Sequence, residues 1–252
     1  MILFTADIHI KLGQKNVPRD WAKARYTEFF NQCAKISKDA ELHVVGGDIF
    51  DRMPTLEEVE LYFELVASII SQILIFDGNH ESTKKHHTFL TALKEVTKRV
   101  NPLVEVVDSV TEYSWGTILP YCELHKKNVF EGLNKTKPLF THVRGEVPPH
   151  VKPEIDLNVF SDFPIVFAGD LHAHSNSQLN IVYPGSPMTT SFHRSEVNTG
   201  FLLVDPDDVT SYCWGEFKLP QLIRKTVSSQ ADMVSTDYQY TIYEIEAEIT
   251  EL

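Results

Sequence analysis

Five times in the first 175 residues a short apolar run ends abruptly in side chains of the kind that bind cations. The run "ILFTA" leads into Asp7 and His9, "LHVVGG" into Asp48, "ILIFDG" into Asn79 and His80, "PLFT" into His142, and "PIVFAG" into Asp170 and His172. Apolar runs of this length, bounded by polar turn residues, read as buried strands. In open α/β sheets the loops at the carboxyl ends of the strands converge, and ligands are bound there. One histidine at a strand end is most often a hydrogen-bonded structural residue. Five ligand-type loops at the same end of successive strands instead predict a shared, dinuclear metal site.

Between these runs the spacing turns helical. In "WAKARYTEFFNQCAKIS" the residues Trp21, Tyr26, Phe29, Phe30 and Cys33 recur on one face, and "TLEEVELYFELVASIIS" opens with Thr55 and Glu58 placed as a capping box. Further helices are expected near 86–98 and 123–133, a strand near 103–107, and short β segments in "TEYSW" and "TILPY". Then "LNIVYPGSP", "GFLLVDP" and "VTSYCWGEFKL" follow without a helical stretch, so the second half is expected to add a mostly antiparallel sheet. The fold class is α/β. Residues 1–219 are expected to form the main domain and 220–252 a short C-terminal β element.

Composition narrows the function classes. The 252 residues are 42% hydrophobic and 23% charged, ordinary for a globular chain with a substantial core. A net charge of −12 argues against a uniformly basic nucleic-acid-coating protein, which gains its affinity by neutralising phosphates. It leaves a nuclease open, because carboxylates that hold divalent ions are counted in that total as uncompensated charge. The start "MILFTADIHI" lacks the pattern of a signal peptide and "LVASIISQILIF" is too short to span a bilayer, so a cytoplasmic protein without membrane contact is expected. Three scattered cysteines, Cys33, Cys122 and Cys213, suit reduced core thiols.

In order and spacing these motifs resemble the calcineurin-like metallophosphoesterases, whose pattern runs D-x-H, G-D, G-N-H-[DE], H and G-H-x-H. Here it reads "DIH", "GGD", "GNHE", "H" and "GDLH" over positions 7–172. The resemblance implies a four-layer αββα sandwich with two central mixed sheets flanked by helices. It implies that Asp7, His9, Asp48 and His172 hold one ion, with Asp48 bridging to a second held by Asn79, His142 and Asp170. It gives His80 the catalytic place facing the scissile phosphate, where Glu81 could orient the imidazole or be an exposed residue at a helix start. Manganese suits this mixed nitrogen and oxygen set best, with Mg²⁺, Fe or Zn²⁺ as alternatives. One position departs from the pattern: Asp170 stands where the family has a histidine, which favours harder ions. A register with His172 and His174 as the pair would put Leu171 at the tight-turn glycine; otherwise His174 is a bystander or substrate contact.

A second resemblance, carried by "YPGSP", "SF", "GFLLVD", "GDIFD" and "TILPY", is to SbcD-type recombination and repair nucleases over roughly residues 1–205. It implies manganese-dependent exonuclease activity on DNA ends, structure-selective endonuclease activity, an SbcC-type, SMC-like ATPase partner, and a homodimer formed through helices, for which 55–72 and 86–98 could supply a face or instead pack inside their own domain. The tail after 220 is short for the full capping and ATPase-binding region, so this is a compact version or a shortened chain. Candidate DNA contacts are Lys11, Lys15, Arg19, Lys84, Lys85, Arg144 and Arg194, with "KKHH" at 84–87 foremost. His43 and His125 read as structural, while His86, His87, His150 and His193 stay unassigned. Two rival readings remain: a calcineurin-like protein phosphatase or small-molecule phosphodiesterase, and a catalytically weak DNA-binding scaffold.

Overall fold

The computed structural model describes residues 1–38, 40–82, 88–208, 210–234 and 239–245. The chain begins β1 (Ile2–Thr5), α1 (Arg19–Ile36), β2 (Leu42–Gly46), α2 (Leu56–Ser68), β3 (Ile73–Phe76), α3 (Phe89–Val100) and β4 (Val104–Val107). It continues through β5 (Thr111–Glu112), β6 (Thr117–Leu119), α4 (Tyr121–Leu124), β7 (Leu139–His142), β8 (Val166–Gly169) and β9 (Ile181–Val182). It ends with β10 (Gly200–Val204), β11 (Tyr212–Glu216), β12 (Leu222–Val227) and β13 (Tyr240–Ile245).

Two mixed sheets form the centre. The first has the order β11-β10-β1-β2-β3-β4, parallel from β1 to β4, with β10 and β11 antiparallel at one side. The second has the order β5-β6-β7-β8-β9, with only β5 antiparallel. The expected antiparallel second half is therefore corrected: β6 to β9 are parallel, joined by crossovers that hold only the four-residue α4 and short 3₁₀ turns, and β10–β11 extend the first sheet.

Period-2 patterning explains how the sheets stack. Phe4, Val44, Leu74 and Phe76 from the first sheet meet Ile118, Phe140, Phe167 and Val182 from the second in one buried layer. Phe4 and Phe140 touch edge to face at 5.4 Å. Full burial of each such side chain stabilises by about 1.5–3 kcal/mol. The other face of the first sheet buries Leu3, Val45 and Ile75 under Tyr26, Phe29 and Cys33 of α1 and Leu61, Tyr62 and Leu65 of α2. The capping box is present at the start of α2, where Thr55 and Glu58 exchange hydrogen bonds. The far face of the second sheet is covered by Leu124, Phe160 and Phe163 from short turns. That layer is thin: the helix expected at 123–133 stops at Leu124 and resumes only as a 3₁₀ turn at Val129–Gly132, after Asn128 turns left-handed at φ 61°. Cys33 and Cys122 are buried, but Cys213 is exposed because β11 is an edge strand.

The strands β12 and β13 pair in parallel with each other and with neither central sheet. Leu222 and Ile223 are nonetheless buried, and Leu222 joins the core under α1. No helix among the described residues is long and apolar enough to cross a membrane.

Candidate metal centre

The strand ends of both sheets meet at one point because β2 and β7 pack across the sandwich: His142, the last residue of β7, places Nδ1 2.9 Å from the carbonyl of Gly46, the last residue of β2. An Nδ1–H bound to that carbonyl leaves the Nε2 lone pair facing the site. The glycines allow this approach. A Cβ on Gly47 (φ +87°) would lie 2.4 Å from His142 Nδ1, and one on Gly78 would lie 2.1 Å from Asp48 Oδ1.

Four of the ligand-type residues sit in left-handed backbone: Asp7 at φ 60°, His9 at 50°, Asp48 at 52° and Asp170 at 101°. Such conformations cost about 1–3 kcal/mol each and persist only where the surroundings fix them. The fixing bonds are visible. Asp7 N donates to Gly47 O, and His9 N to Asp48 O, at 3.1 and 2.8 Å. The Tyr26 hydroxyl donates to His9 O at 2.7 Å, and Asp170 N donates to Asp7 Oδ1 at 3.0 Å.

Six side chains converge around one atom, Asp48 Oδ2. It lies 3.6 Å from His9 Nε2 and 3.5 Å from His142 Nε2. On the His9 side, His172 Nε2 is 3.1 Å from His9 Nε2, and each imidazole is 4.0 Å from Asp7 Oδ1. On the His142 side, Nε2 is 3.0 Å from Asn79 Oδ1 and 3.8 Å from Asp170 Oδ1. Metal bonds of about 2.0–2.2 Å place neighbouring octahedral donors roughly 3 Å apart and opposite ones roughly 4.2 Å apart. The observed separations fall in that range.

The chemistry of the donors fits a pair of cations as well. The inward atom of the Asn79 carboxamide lies 3.0 Å from His142 Nε2, 3.2 Å from Asp48 Oδ2 and 3.3 Å from Asp170 Oδ1. As an oxygen it faces the acceptor oxygens of Asp48 and Asp170, an arrangement that a cation at that point would satisfy. Electrostatics agree. Burial opposes protonation of His142, but the carboxylates of Asp48, Asp7 and Asp170 outweigh it and push the imidazole up to about 9. Burial, reinforced by the charges of Asp48 and Asp170, raises the Asp7 carboxyl well above its ordinary range. Burial and the neighbouring His172 and His80 hold His9 well below the usual imidazole range. The pocket binds protons where divalent ions would relieve the same charge.

The remaining candidates separate by position. His80 stands at the mouth, exposed, with Nε2 3.8 Å from Asp48 Oδ2 and Nδ1 2.5 Å from the Asp51 carbonyl. Glu81 is corrected: it neither contacts that imidazole nor lies exposed. It is 3% exposed and accepts backbone N–H bonds from Asp48 at 3.0 Å, Phe50 at 2.7 Å and Gly78 at 2.8 Å, so it ties two ligand loops together. Burial and the Asp48 charge push it up to about 8. Arg144, expected at DNA phosphate, forks onto Asp170, with Nε to Oδ2 at 3.2 Å and Nη2 to Oδ1 at 3.3 Å. The structure brings His172 and not His174 to Asp7 and His9; His174 gives Nδ1 to the Tyr183 carbonyl at 2.6 Å and stacks on Trp214. Lys11 pairs with Asp51 at 2.7 Å, Arg19 with Glu57 at 2.7 Å, Arg194 reaches Thr226, and Lys15 is exposed. Lys84, Lys85, His86 and His87 lie outside the described residues.

Sequence reasoning missed Asp51, which touches three site groups: its backbone carbonyl holds His80, and its carboxylate pairs with Lys11 and lies 3.9 Å from His9 Nδ1. Its place directly after "GGDIF" was the available signal. The centre opens on two clefts. One, of about 550 Å³, runs from His172 past His174, Thr190, His193, Asn198 and Trp214. The other, of about 200 Å³, lies against His80, Arg52, Met53 and Phe89.

Comparisons with known proteins agree with this geometry. The chain is 40% identical over 262 residues to a protein of Escherichia phage T5 named as a probable exonuclease subunit 1, an alignment covering 100% of this chain and 80% of the phage protein. It is 25% identical over 231 residues to a protein of Invertebrate iridescent virus 6 named as phosphoesterase 244L, covering 82% of this chain and 77% of the viral one. Residues 1–162 match the family described as Calcineurin-like phosphoesterase. With the metal-type cluster at its strand ends, the chain belongs to the calcineurin-like phosphoesterase family of metal-dependent hydrolases.

Proposed function

We propose that this chain is a manganese-dependent DNA nuclease that hydrolyses phosphodiester bonds at DNA ends, and that it works as the nuclease subunit of a complex with an SbcC-type ATPase. The observation that carries the reading is the position of Asp48 Oδ2 between two imidazole-bearing clusters, His9 with His172 and His142 with Asn79. In this reading Asp7, His9, Asp48 and His172 hold one divalent ion, and Asp48, Asn79, His142 and Asp170 hold the second. When bound, two such ions polarise a phosphoryl group and supply a nucleophile at neutral pH. The name of the phage T5 relative, an exonuclease subunit, supports DNA as substrate and a partner in the assembly.

The protein's own contribution is orientation and proton handling. His80, braced at Nδ1 by the Asp51 carbonyl, turns Nε2 toward the centre at its open side, where it would stabilise the phosphate and protonate the leaving oxygen. The two clefts on either side offer a path for the strand across the centre. The reading of 220–252 as a partial capping element is supported by β12 and β13, which pair with each other and with neither central sheet.

The test is turnover of end-labelled duplex DNA with Mn²⁺, beside a phosphopeptide and an aryl phosphodiester. Degradation of DNA that is lost in His80→Ala, with divalent ions still bound, is the expected result. Phosphopeptide turnover without DNA degradation would make the chain a phosphatase, and an inactive wild type with ATPase partner present would make it a scaffold.

A further inference from the structure

Three carboxylates, Asp7, Asp48 and Asp170, crowd the centre with little exposure, and their side chains are 0, 2 and 7% exposed. The third is the one the family pattern does not contain. An imidazole there would add no charge, whereas Asp170 adds a full negative one.

An arginine answers it. The Arg144 guanidinium meets both oxygens of Asp170 in a fork, Nε on Oδ2 and Nη2 on Oδ1, the bidentate arrangement of an arginine–carboxylate pair. Its backbone is fixed separately: Arg144 N donates to Glu154 Oε1 at 2.8 Å, while Glu154 Oε2 accepts from the Tyr121 hydroxyl at 2.9 Å and lies 3.4 Å from His125 Nε2. A carboxylate has about four lone-pair sites. Asp170 can therefore hold Arg144 on its outer side while Oδ1 faces His142 and Asn79.

We propose that Asp170 and Arg144 act as one unit, a charge-compensated carboxylate in the place of an imidazole, in which Arg144 is a positioning residue that relieves carboxylate repulsion in the metal-free protein and restrains divalent-ion affinity. The proposal rests on the reading of the two clusters as metal-holding. It gives two effects of Arg144→Gln whose signs separate it from a packing role. The metal-free protein loses stability, because three carboxylates face one another with less compensation. The affinity for Mn²⁺ rises, roughly three- to tenfold for a partly exposed charge, because the same excess negative charge now awaits the ion. A residue that merely packed the loop would lower stability and weaken binding together.

The experiment measures the melting temperature in EDTA and Mn²⁺ binding by isothermal titration calorimetry for the full chain, Arg144→Gln, Asp170→His and the double variant. Both effects of Arg144→Gln are expected in the natural background and to vanish in Asp170→His, where no third carboxylate remains. If Arg144→Gln does not fold, Arg144→Lys takes its place: it keeps the charge and loses the fork, and should hold Mn²⁺ affinity within about twofold of wild type. Unchanged or weaker Mn²⁺ binding in Arg144→Gln, equal effects in both backgrounds, or a shift beyond twofold in Arg144→Lys overturns the proposal. Absence of Mn²⁺ binding by the wild type would instead overturn the metal reading beneath it.

Discussion

Replacing Glu81 by glutamine isolates what the buried carboxylate does. Glu81 Oε2 accepts from Asp48 N and Gly78 N, and Oε1 accepts from Phe50 N. Glutamine has one oxygen. Set on the Oε2 side it keeps two of the three bonds, and its NH₂ then faces the Phe50 N–H, donor against donor. One buried amide without a partner costs about 1–3 kcal/mol. Alanine leaves all three unpaired, roughly 3–9 kcal/mol on the same figure, a large part of a domain's net stability of about 5–15 kcal/mol. Glu81→Gln is therefore expected to fold with a lowered urea midpoint in EDTA and to keep Mn²⁺ affinity nearly unchanged, because the bonds it retains are those that seat Asp48. Glu81→Ala should unfold at much lower urea. The gap between wild type and Glu81→Gln should also depend on pH. The folded carboxyl is raised to about 8 from an ordinary 4.5, so its contribution is present below about 4.5 and is lost as pH rises through 8; the gap narrows over that window. A glutamine variant as stable as wild type, or an alanine variant that loses no more than the glutamine one, would refute the anchoring argument.

Other expectations follow from the same geometry. Gly78→Ala puts a Cβ 2.1 Å from Asp48 Oδ1, so it should abolish Mn²⁺ binding in calorimetry and destabilise by about 1–3 kcal/mol or more in urea. His43 is buried and held down to about 3 by that burial, against an ordinary 6.5, so the unfolded chain takes up a proton that the folded one refuses; stability should fall by about one proton's worth of slope as pH drops from 6.5 toward 3, and His43→Gln should remove that slope. Adding Mn²⁺ at a hundred times its dissociation constant should raise folding stability by about 2.7 kcal/mol per site, seen as a calorimetric melting shift that EDTA reverses. His80→Ala should keep that shift.

How much of this was legible in the sequence divides along a physical line. Apolar runs ending in Asp7, Asp48, Asn79, His142 and Asp170 marked strands and their carboxyl ends, because burial and ligand chemistry are both local properties of residue type. The Thr55 and Glu58 cap was legible for the same reason. What could not be read depends on partners far away in sequence. Glu81 resembles any acidic residue at a helix start until the loop of Asp48, 33 residues earlier, closes over it. Arg144 resembles a phosphate ligand until Asp170, 26 residues later, takes its guanidinium. The parallel pairing of β6 to β9 was hidden because their crossovers are irregular, and the broken helix after Leu124 turned on the left-handed Asn128.

The left-handed backbones of Asp7, His9, Asp48 and Asp170 connect the fold to the chemistry. At about 1–3 kcal/mol each they cost roughly 4–12 kcal/mol together, as large as the net stability of a domain, with aspartates toward the low end. Asp170 is held through the bond of its N–H to Asp7 Oδ1, and Asp7, His9 and Asp48 are fixed from outside the centre: by Glu81 under Asp48, by Tyr26 of α1 at His9, and by Ser186, whose hydroxyl lies 2.8 Å from the Asp7 carbonyl. None of Glu81, Tyr26 and Ser186 is a proposed ligand. The strain is thus met by folding and not by ion binding, so a divalent ion meets donors already set at ligand spacing and its binding energy is not consumed in arranging them. That assigns the anchors a consequence distinct from that of the ligands: losing an anchor returns the cost of ordering the loops to the binding step, and metal affinity then falls with every ligand still in the chain.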